Sequence, residues 1–280
     1  MRATLAQVLH PALAEGYAVS GLVCLGWEDS RAYVAAAEAE RAPVILQAGP
    51  GCRKHTPLPV LAAMFDHLAD GASVPVTIHL DHGYTLDECR QAIDCGFTSV
   101  MFDGSRKSLA QNIDETAEIA ALAHKAAISC EGEIGFVGYA DGERSAGTDP
   151  EEAARFARET TVDAMAVSIG NVHLQQDRCT DLDEAALCAI EAVTNVPLVI
   201  HGGSGVSVEQ RKRLSASSAI CKFNIGTELR MAFGKSLRTT LNGDAEMFDR
   251  NAILASTEAD IETAARAVIR ALGASGRSPD

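Results

Sequence analysis

Eight short apolar segments alternate with helix-like segments along the 280 residues of the chain, and this alternation limits the fold more than any other feature. Most of these segments are rich in Val, Ile, Leu or Phe, and their length suits a buried parallel strand. Repeated strand–helix units predict a parallel sheet covered by helices. The predicted strands are residues 17–25, 43–47, 75–80, 97–102, 127–131, 162–169, 196–200 and 220–225.

Eight such units predict a closed α/β fold, a (β/α)8 TIM barrel with additional C-terminal helices, formed by a single domain over residues 1–280. The length agrees with this fold, because TIM barrels have roughly 250 residues. A doubly wound open sheet is the alternative that the same alternation allows. The helix over residues 29–40 is predicted to begin at an N-cap formed by Asp29 or Ser30.

Composition argues against several classes of partner and location. The formal net charge is −14, which does not suit nucleic-acid binding, because such a surface needs clustered Lys and Arg. The sequence has no long uncharged apolar run, so we expect a soluble protein without a membrane span. The eight cysteines form no C-x-x-C pair, which is typical of reduced thiols in a cytoplasmic protein.

Three histidines follow predicted strands of the barrel. The third strand runs into Asp81 and His82, while His173 and His201 follow the sixth and seventh strands. The carboxyl ends of all strands meet at one mouth of a TIM barrel, where ligands bind. Taken alone, Asp81 and His82 could be a helix cap and a hydrogen-bonded side chain. Three imidazoles at corresponding positions instead favour a zinc site with one open position, beside which Asp81 can act as a base.

Two Gly-rich segments at the same mouth predict an anion site. Residues 201–205 read His-Gly-Gly-Ser-Gly after strand seven, and residues 224–227 read Asn-Ile-Gly-Thr after strand eight. The loops after these two strands frequently bind phosphate in TIM barrels, where backbone N–H groups can approach the ligand. Lys222 lies within strand eight and is the candidate for an alternative chemistry, Schiff-base catalysis.

Six motifs, spread over nearly the whole chain, give it a specific resemblance to one family. The chain resembles the class II, metal-dependent ketose-bisphosphate aldolases, which include fructose- and tagatose-bisphosphate aldolases. The motifs are HLDHG at 79–83, GFTSVMFDGS at 96–105, EGEIG at 131–135, GNVH at 170–173, HGGSG at 201–205 and CKFN at 221–224.

This resemblance implies a zinc-dependent enzyme that reversibly cleaves a phosphorylated ketose to dihydroxyacetone phosphate and an aldehyde. Asp81 would transfer the proton of the substrate hydroxyl, and Asp141, with Glu143 as a substitute, would exchange a proton with the enediolate carbon. The implied ligands of the catalytic Zn²⁺ are His82, His173 and His201, with Glu133 and Asp103 at an alternative or second metal position.

The phosphate of the dihydroxyacetone phosphate half would lie in the Gly-rich segments. The resemblance also implies a monovalent cation, Na⁺ or K⁺, beside the backbone around Val172 and Gly202, and a homodimer or homotetramer. The implied phosphate-binding residues are Gly202, Gly203, Ser204, Asn224, Ile225 and Thr227.

Several substrate-contacting positions depart from the family pattern. Many members have Phe-Asn where residues 23–24 are Val-Cys, and a glycine where this chain has Leu174. These differences leave open a ketose monophosphate or another modified ketose as substrate, and a barrel that binds a sugar phosphate without catalysis. Arg53 and Lys54 could bind a distal phosphate or be surface charges.

Overall fold

The chain folds into a closed barrel in the computed structural model, which describes residues 1–140, 142–178 and 180–278. Within these residues, eight parallel strands pair in chain order, and the eighth pairs with the first. The predicted TIM barrel is therefore confirmed, and the open sheet is excluded because no edge strand remains. The strands are β1 Val19–Val23, β2 Val44–Ala48, β3 Val76–Gly83, β4 Ser99–Phe102, β5 Ser129–Ile134, β6 Ala164–Val167, β7 Leu198–Ile200 and β8 Ile220–Ile225.

Helices follow every strand and cover the outside of the barrel. The predicted additional C-terminal helices are confirmed, because two helices continue the chain after the one that follows β8. None of the described helices is long and apolar enough to span a membrane. The helices are α1 Leu5–Glu15, α2 Trp27–Glu40, α3 Pro50–His55, α4 Leu58–Gly71, α5 Leu86–Asp94, α6 Leu109–Lys125, α7 Pro150–Thr160, α8 Glu184–Glu191, a 3₁₀ turn Gly203–Gly205, α9 Val208–Ser217, α10 Thr227–Gly243, α11 Arg250–Ala255 and α12 Glu258–Ala271.

Helix α2 begins earlier than its sequence suggests. Gly26 is its N-cap, so the prediction that Asp29 or Ser30 caps the helix is wrong. The Asp29 carboxylate lies inside the first turn and accepts from the backbone N–H groups of Leu25 and Gly26, at 2.6 and 2.8 Å. A carboxylate at this position satisfies free N–H groups as well as a capping side chain does, so the polar pattern alone placed the boundary too late.

The N-terminal segment closes the amino end of the barrel. The Met1 carbonyl accepts from the Val76 N–H at 2.8 Å, and the Val76 carbonyl accepts from the Ala3 N–H at 2.9 Å. Helix α1 then crosses beneath the strands, where its Ala6 N–H donates to the Ser129 hydroxyl at 2.9 Å. With this end covered, the carboxyl ends of the strands form the open mouth.

The described cysteines are free thiols, as expected for reduced cysteines. Most of them are buried, but Cys95 is half-buried and Cys188 is exposed. Cys179 lies outside the described residues.

Helix α12 and the segment after it are held against α2 by Glu40, which lies at the end of α2. Its carboxylate accepts from Arg266 Nε at 2.8 Å, from Arg270 Nη2 at 2.7 Å and from the Ser275 hydroxyl at 2.9 Å. The hydrogen bond from Arg270, with smaller contributions from Arg266 and Ser275, lowers the pKa of Glu40 from 4.5 to about 2.

Replacing Glu40 with Gln should therefore lower the free energy of unfolding at neutral pH by about 1 kcal/mol, because both arginines are partly exposed and solvent weakens each pair. The folded-state pKa is lowered, so this contribution is present above pH 4.5 and is lost as the pH falls towards 2. Urea unfolding of wild type and Glu40→Gln at several pH values measures it. Glu246→Gln, at an exposed position, is the matched control. A pH-independent difference between Glu40→Gln and wild type would contradict the assignment.

Candidate active site

Three imidazoles converge at the mouth of the barrel. His82 lies at the carboxyl end of β3, one residue before its last, His173 lies in the segment after β6, and His201 directly follows β7. The ring centroid of His82 lies 5.2 Å from that of His173 and 4.7 Å from that of His201. One ring nitrogen of each residue lies within 4.8 Å of the other two, which is close enough for all three to bind one ion.

Asp81 and His82 are adjacent in β3, yet both side chains line the same cavity. In a regular strand, successive side chains point to opposite faces. At His82 the backbone adopts a left-handed conformation with φ of +54°, and the pairing of β3 with β4 shifts register between Leu80 and Gly83. This bulge turns His82 towards the point that Asp81 faces, at a cost of about 1–3 kcal/mol of backbone strain.

Asp103 fixes the orientation of the His82 ring. Its Oδ2 lies 2.8 Å from His82 Nδ1, and its Oδ1 accepts from the Ser105 N–H and hydroxyl. With Nδ1 donating to this carboxylate, His82 Nε2 is left as the acceptor nitrogen, and it is buried without a protein partner. A carboxylate behind a histidine is the usual arrangement around metal-binding imidazoles.

Glu131 orients His201 from beneath. Its Oε1 lies 3.0 Å from His201 Nε2, and its Oε2 accepts from Lys222 Nζ at 2.6 Å. His201 Nδ1 is therefore the ring nitrogen that Glu131 leaves free. This nitrogen lies 3.3 Å from Glu133 Oε2, although neither atom makes a hydrogen bond. Burial by itself lowers the pKa of His201. The neighbouring Glu131 and Glu133 carboxylates outweigh this effect and raise the pKa to about 10.

The donor set fits a divalent cation. In the part of the chain that the structure describes, His82 Nε2, His201 Nδ1 and Glu133 Oε2 are buried polar atoms without hydrogen-bond partners, and buried polar atoms are rarely left unpaired. Four carboxylates surround the imidazoles and concentrate negative charge around them. Imidazole nitrogens with a carboxylate oxygen suit Zn²⁺ and related ions. The four carboxylates belong to Asp81, Asp103, Glu131 and Glu133.

Asp81 lies beside the imidazoles as an ionised acid. Burial raises the pKa of its carboxyl, but the neighbouring His82 and His201 more than compensate and lower it. Its Oδ1 accepts from Asn224 Nδ2 at 3.2 Å. The predicted phosphate ligand Asn224 therefore also holds Asp81, a contact between β8 and β3 that the sequence does not reveal.

A cavity of about 260 Å³ opens above these residues, and part of its wall comes from the Gly-rich segments. The predicted phosphate residues Gly202, Ser204, Asn224 and Thr227 line it. Gly203 and Ile225 are buried behind the wall, where they pack together.

Only glycine fits at position 202. The backbone there has φ of +64°, and an added Cβ would lie 2.1 Å from the Val172 carbonyl oxygen. Gly202 and the Val172 carbonyl thus lie close together, in the backbone region where the monovalent cation is predicted to bind.

Two tyrosines flank the histidines at the cavity entrance. Tyr139 stacks on His173 with a centroid distance of 5.0 Å, and Tyr84 stacks on His82 at 6.3 Å. Sequence reasoning did not assign a site role to Tyr84, because a tyrosine after a strand carries no specific signal. Both tyrosines line the cavity beside the predicted metal ligands.

Neither of the two acids predicted for proton exchange is among the described residues that line the cavity. Asp141 lies outside the described residues. Glu143 pairs with Arg106 at 2.5 Å, and both side chains are largely exposed. Among the described residues of the loop after β5, Tyr139 is the one that lines the cavity.

Lys222 does not face the cavity. It is fully buried in an ion pair with Glu131 and lies beside His79, whose Nε2 is 3.5 Å from Lys222 Nζ. The His79 Nδ1 atom lies 2.9 Å from the Ser99 hydroxyl, so His79 supports this buried network.

A profile of the family described as fructose-bisphosphate aldolase class-II matches residues 3–277. The chain belongs to the class II fructose-bisphosphate aldolase family. This confirms the resemblance inferred from the six motifs and makes the protein a lyase. The family generally uses a divalent metal and acts on phosphorylated sugars. The roles of the individual site residues stay predictions.

Several relatives carry different aldolase names. The chain is 36% identical to a 6-phospho-5-dehydro-2-deoxy-D-gluconate aldolase of Shouchella clausii, with 98% of this chain and 95% of the relative covered. It is 33% identical to a fructose-bisphosphate aldolase of Geobacillus stearothermophilus, with 97% of each covered. Among solved structures, it resembles the YdjI aldolase of Escherichia coli K12 over the full length of both chains, with a TM-score of 0.86 and 27% identity.

His201→Ala should abolish stable zinc binding, because two imidazoles would remain where a catalytic site uses three protein ligands. We expect about one ion per chain in wild type and close to none in the variant, measured by elemental analysis after dialysis. His10→Ala, at an exposed position of α1, is the control. An unchanged zinc content in His201→Ala would remove His201 from the predicted ligand set.

Proposed function

We propose that the protein is a zinc-dependent class II aldolase that cleaves a phosphorylated ketose, resembling fructose or tagatose bisphosphate, to dihydroxyacetone phosphate and an aldehyde. One observation carries the proposal. His82, His173 and His201 converge on one point beside the ionised Asp81, and Asp81, His82 and His173 line a cavity together with the Gly-rich segments.

Asp81 is proposed as the base that removes the proton from the hydroxyl on C4 of the ketose. Its carboxyl is buried yet ionised, and the Asn224 amide holds one oxygen at 3.2 Å. The second oxygen is then available to the substrate. Loss of this proton allows the bond between C3 and C4 to break, which leaves the aldehyde and a three-carbon fragment with negative charge.

His82, His173 and His201 would hold the Zn²⁺ ion, with Glu133 and Asp103 as acids for an alternative or second metal position. When bound, the ion supplies Lewis-acid stabilisation of the negative charge on the substrate oxygens. Glu131 and Asp103 keep the His201 and His82 rings in place. Asp141 is proposed to exchange a proton with the carbon of the three-carbon fragment.

The proximal phosphate is proposed to bind where β7 and β8 end. Ser204 and Thr227 offer hydroxyl groups there, and Gly202 lets the backbone approach the ligand. A monovalent cation beside the Val172 carbonyl would add positive charge next to this phosphate.

The charges of the cavity favour a second type of substrate. This type carries phosphate at one end and a different group at the other. Among the described residues that line it, the sole Lys or Arg side chain is Arg230. Arg53 donates to backbone carbonyls instead. The name of the Shouchella relative denotes a substrate with one phosphate and a gluconate carboxylate, which has this character.

We expect zinc-loaded protein to release dihydroxyacetone phosphate from at least one member of a substrate panel. The panel contains phosphates of fructose and tagatose, together with 6-phospho-5-dehydro-2-deoxy-D-gluconate. Coupling to glycerol-3-phosphate dehydrogenase measures the product. Chelation should abolish the release and Zn²⁺ should restore it. Activity that survives chelation, together with borohydride trapping on the chain, would support Schiff-base catalysis instead. No release from any of these substrates by fully loaded protein would contradict the proposal.

Asp81→Ala should lower kcat roughly 10²–10⁴-fold, which is the range for loss of general acid–base catalysis, while zinc content stays near that of wild type. Asp87→Ala, at a side chain that is 95% exposed, is the control and should keep full activity. A kcat for Asp81→Ala close to the wild-type value would remove Asp81 from its role as base.

A further inference from the structure

Arg53 is a cation next to the active site that faces away from the substrate cavity. It lies in the short helix α3, and its side chain is only 10% exposed. Its Nη1 donates to the carbonyls of Ala48 and Asp81, each at 2.6 Å, and its Nη2 donates to the His82 carbonyl at 2.8 Å. One guanidinium thus joins the end of β2 to two successive carbonyls of β3.

These two carbonyls belong to the residues proposed as base and metal ligand. In a regular strand, successive carbonyls point in opposite directions and bond to the two neighbouring strands. The left-handed backbone at His82 and the shifted register of β3 against β4 break this pattern. The Asp81 and His82 carbonyls can therefore both reach Arg53. The planar guanidinium of Arg53 carries several N–H donors in a fixed fork, so it can bond to both carbonyls at once. The ammonium of a lysine would do this less well.

Other groups fix Arg53 from the side of α5. Its Nη2 lies 3.7 Å from Glu88 Oε1, while Glu88 Oε2 accepts from the Tyr84 N–H at 2.7 Å. The Arg53 N–H donates to the Gly49 carbonyl at 3.0 Å, which anchors the first turn of α3. The guanidinium therefore has little freedom to turn towards a ligand.

We propose that Arg53 is a positioning residue, which locks the bulged end of β3 so that Asp81 and His82 face one point. The inference rests on the proposed roles of these two residues. Without the guanidinium, the two carbonyls lose their donors, and the strained backbone at His82 can relax towards a regular strand. His82 would then turn away from His173 and His201, and Asp81 would shift relative to the substrate hydroxyl.

The positioning role is tested with the variant Arg53→Met. It is compared with Arg53→Lys and with the control Lys54→Met, which lies at an exposed position. We expect kcat to fall roughly 100-fold in Arg53→Met, because small misplacements of reacting groups have effects of this size, while KM changes little. Binding of Co²⁺ to the metal-free protein should weaken about 10–100-fold, with an altered visible absorption spectrum. Arg53→Lys should be intermediate, guanidinium ion below denaturing concentrations should partly restore Arg53→Met, and Lys54→Met should match wild type.

Several results would overturn the proposal. A rise in KM alone would make Arg53 a substrate-binding residue. A lower melting temperature with unchanged kcat and Co²⁺ spectrum would make its role purely structural, and wild-type values throughout would give it no role. If Arg53→Met does not fold, the same readouts on Arg53→Lys decide. The Co²⁺ measurement needs no substrate, so it still tests Arg53 if wild type cleaves no phosphorylated ketose and the proposed function itself fails.

Discussion

The arrangement of the candidate site depends on one ion pair inside the barrel, in which Lys222 donates to Glu131 at 2.6 Å. Both side chains are fully buried, and removing such charges from water costs several kcal/mol per ion. The pair is tolerated because each charge is matched, and because the second Glu131 oxygen accepts from His201. Lys222 thus keeps Glu131 ionised, and Glu131 in turn orients an imidazole. An amine that is fully buried and paired with a carboxylate cannot reach a substrate in the cavity, which speaks against its use as a nucleophile.

A second constraint comes from the backbone. The strand β3 would ordinarily place Asp81 and His82 on opposite faces, and only a local departure from strand geometry brings them together. Such strain persists where surrounding contacts outweigh it. At this position the contacts are the guanidinium of Arg53 on the carbonyl side and the carboxylate of Asp103 on the ring side.

The sequence predicted the barrel and the grouping of the three histidines because both follow from periodicity: strands repeat, and their carboxyl ends share one mouth. It placed the start of α2 too late, since Asp29 satisfies N–H groups from inside the helix. It left Arg53 ambiguous, because a cation after a turn can face solvent, ligand or backbone, and only three-dimensional structure separates these. The contact between Asn224 and Asp81 spans 143 residues, and no local pattern reports a contact of that range.

That long separation has a consequence for folding. The groups of the site come from β3, β5 and β8 and from the segments after β4, β6 and β7, so they meet only when the last strand closes the barrel. Contacts so distant along the chain form late and slowly. A ligand that needs all of them binds the closed barrel and not its open precursors, so it adds its binding free energy to the native state alone. Occupancy of this mouth would therefore report on completion of the fold as well as on readiness for chemistry.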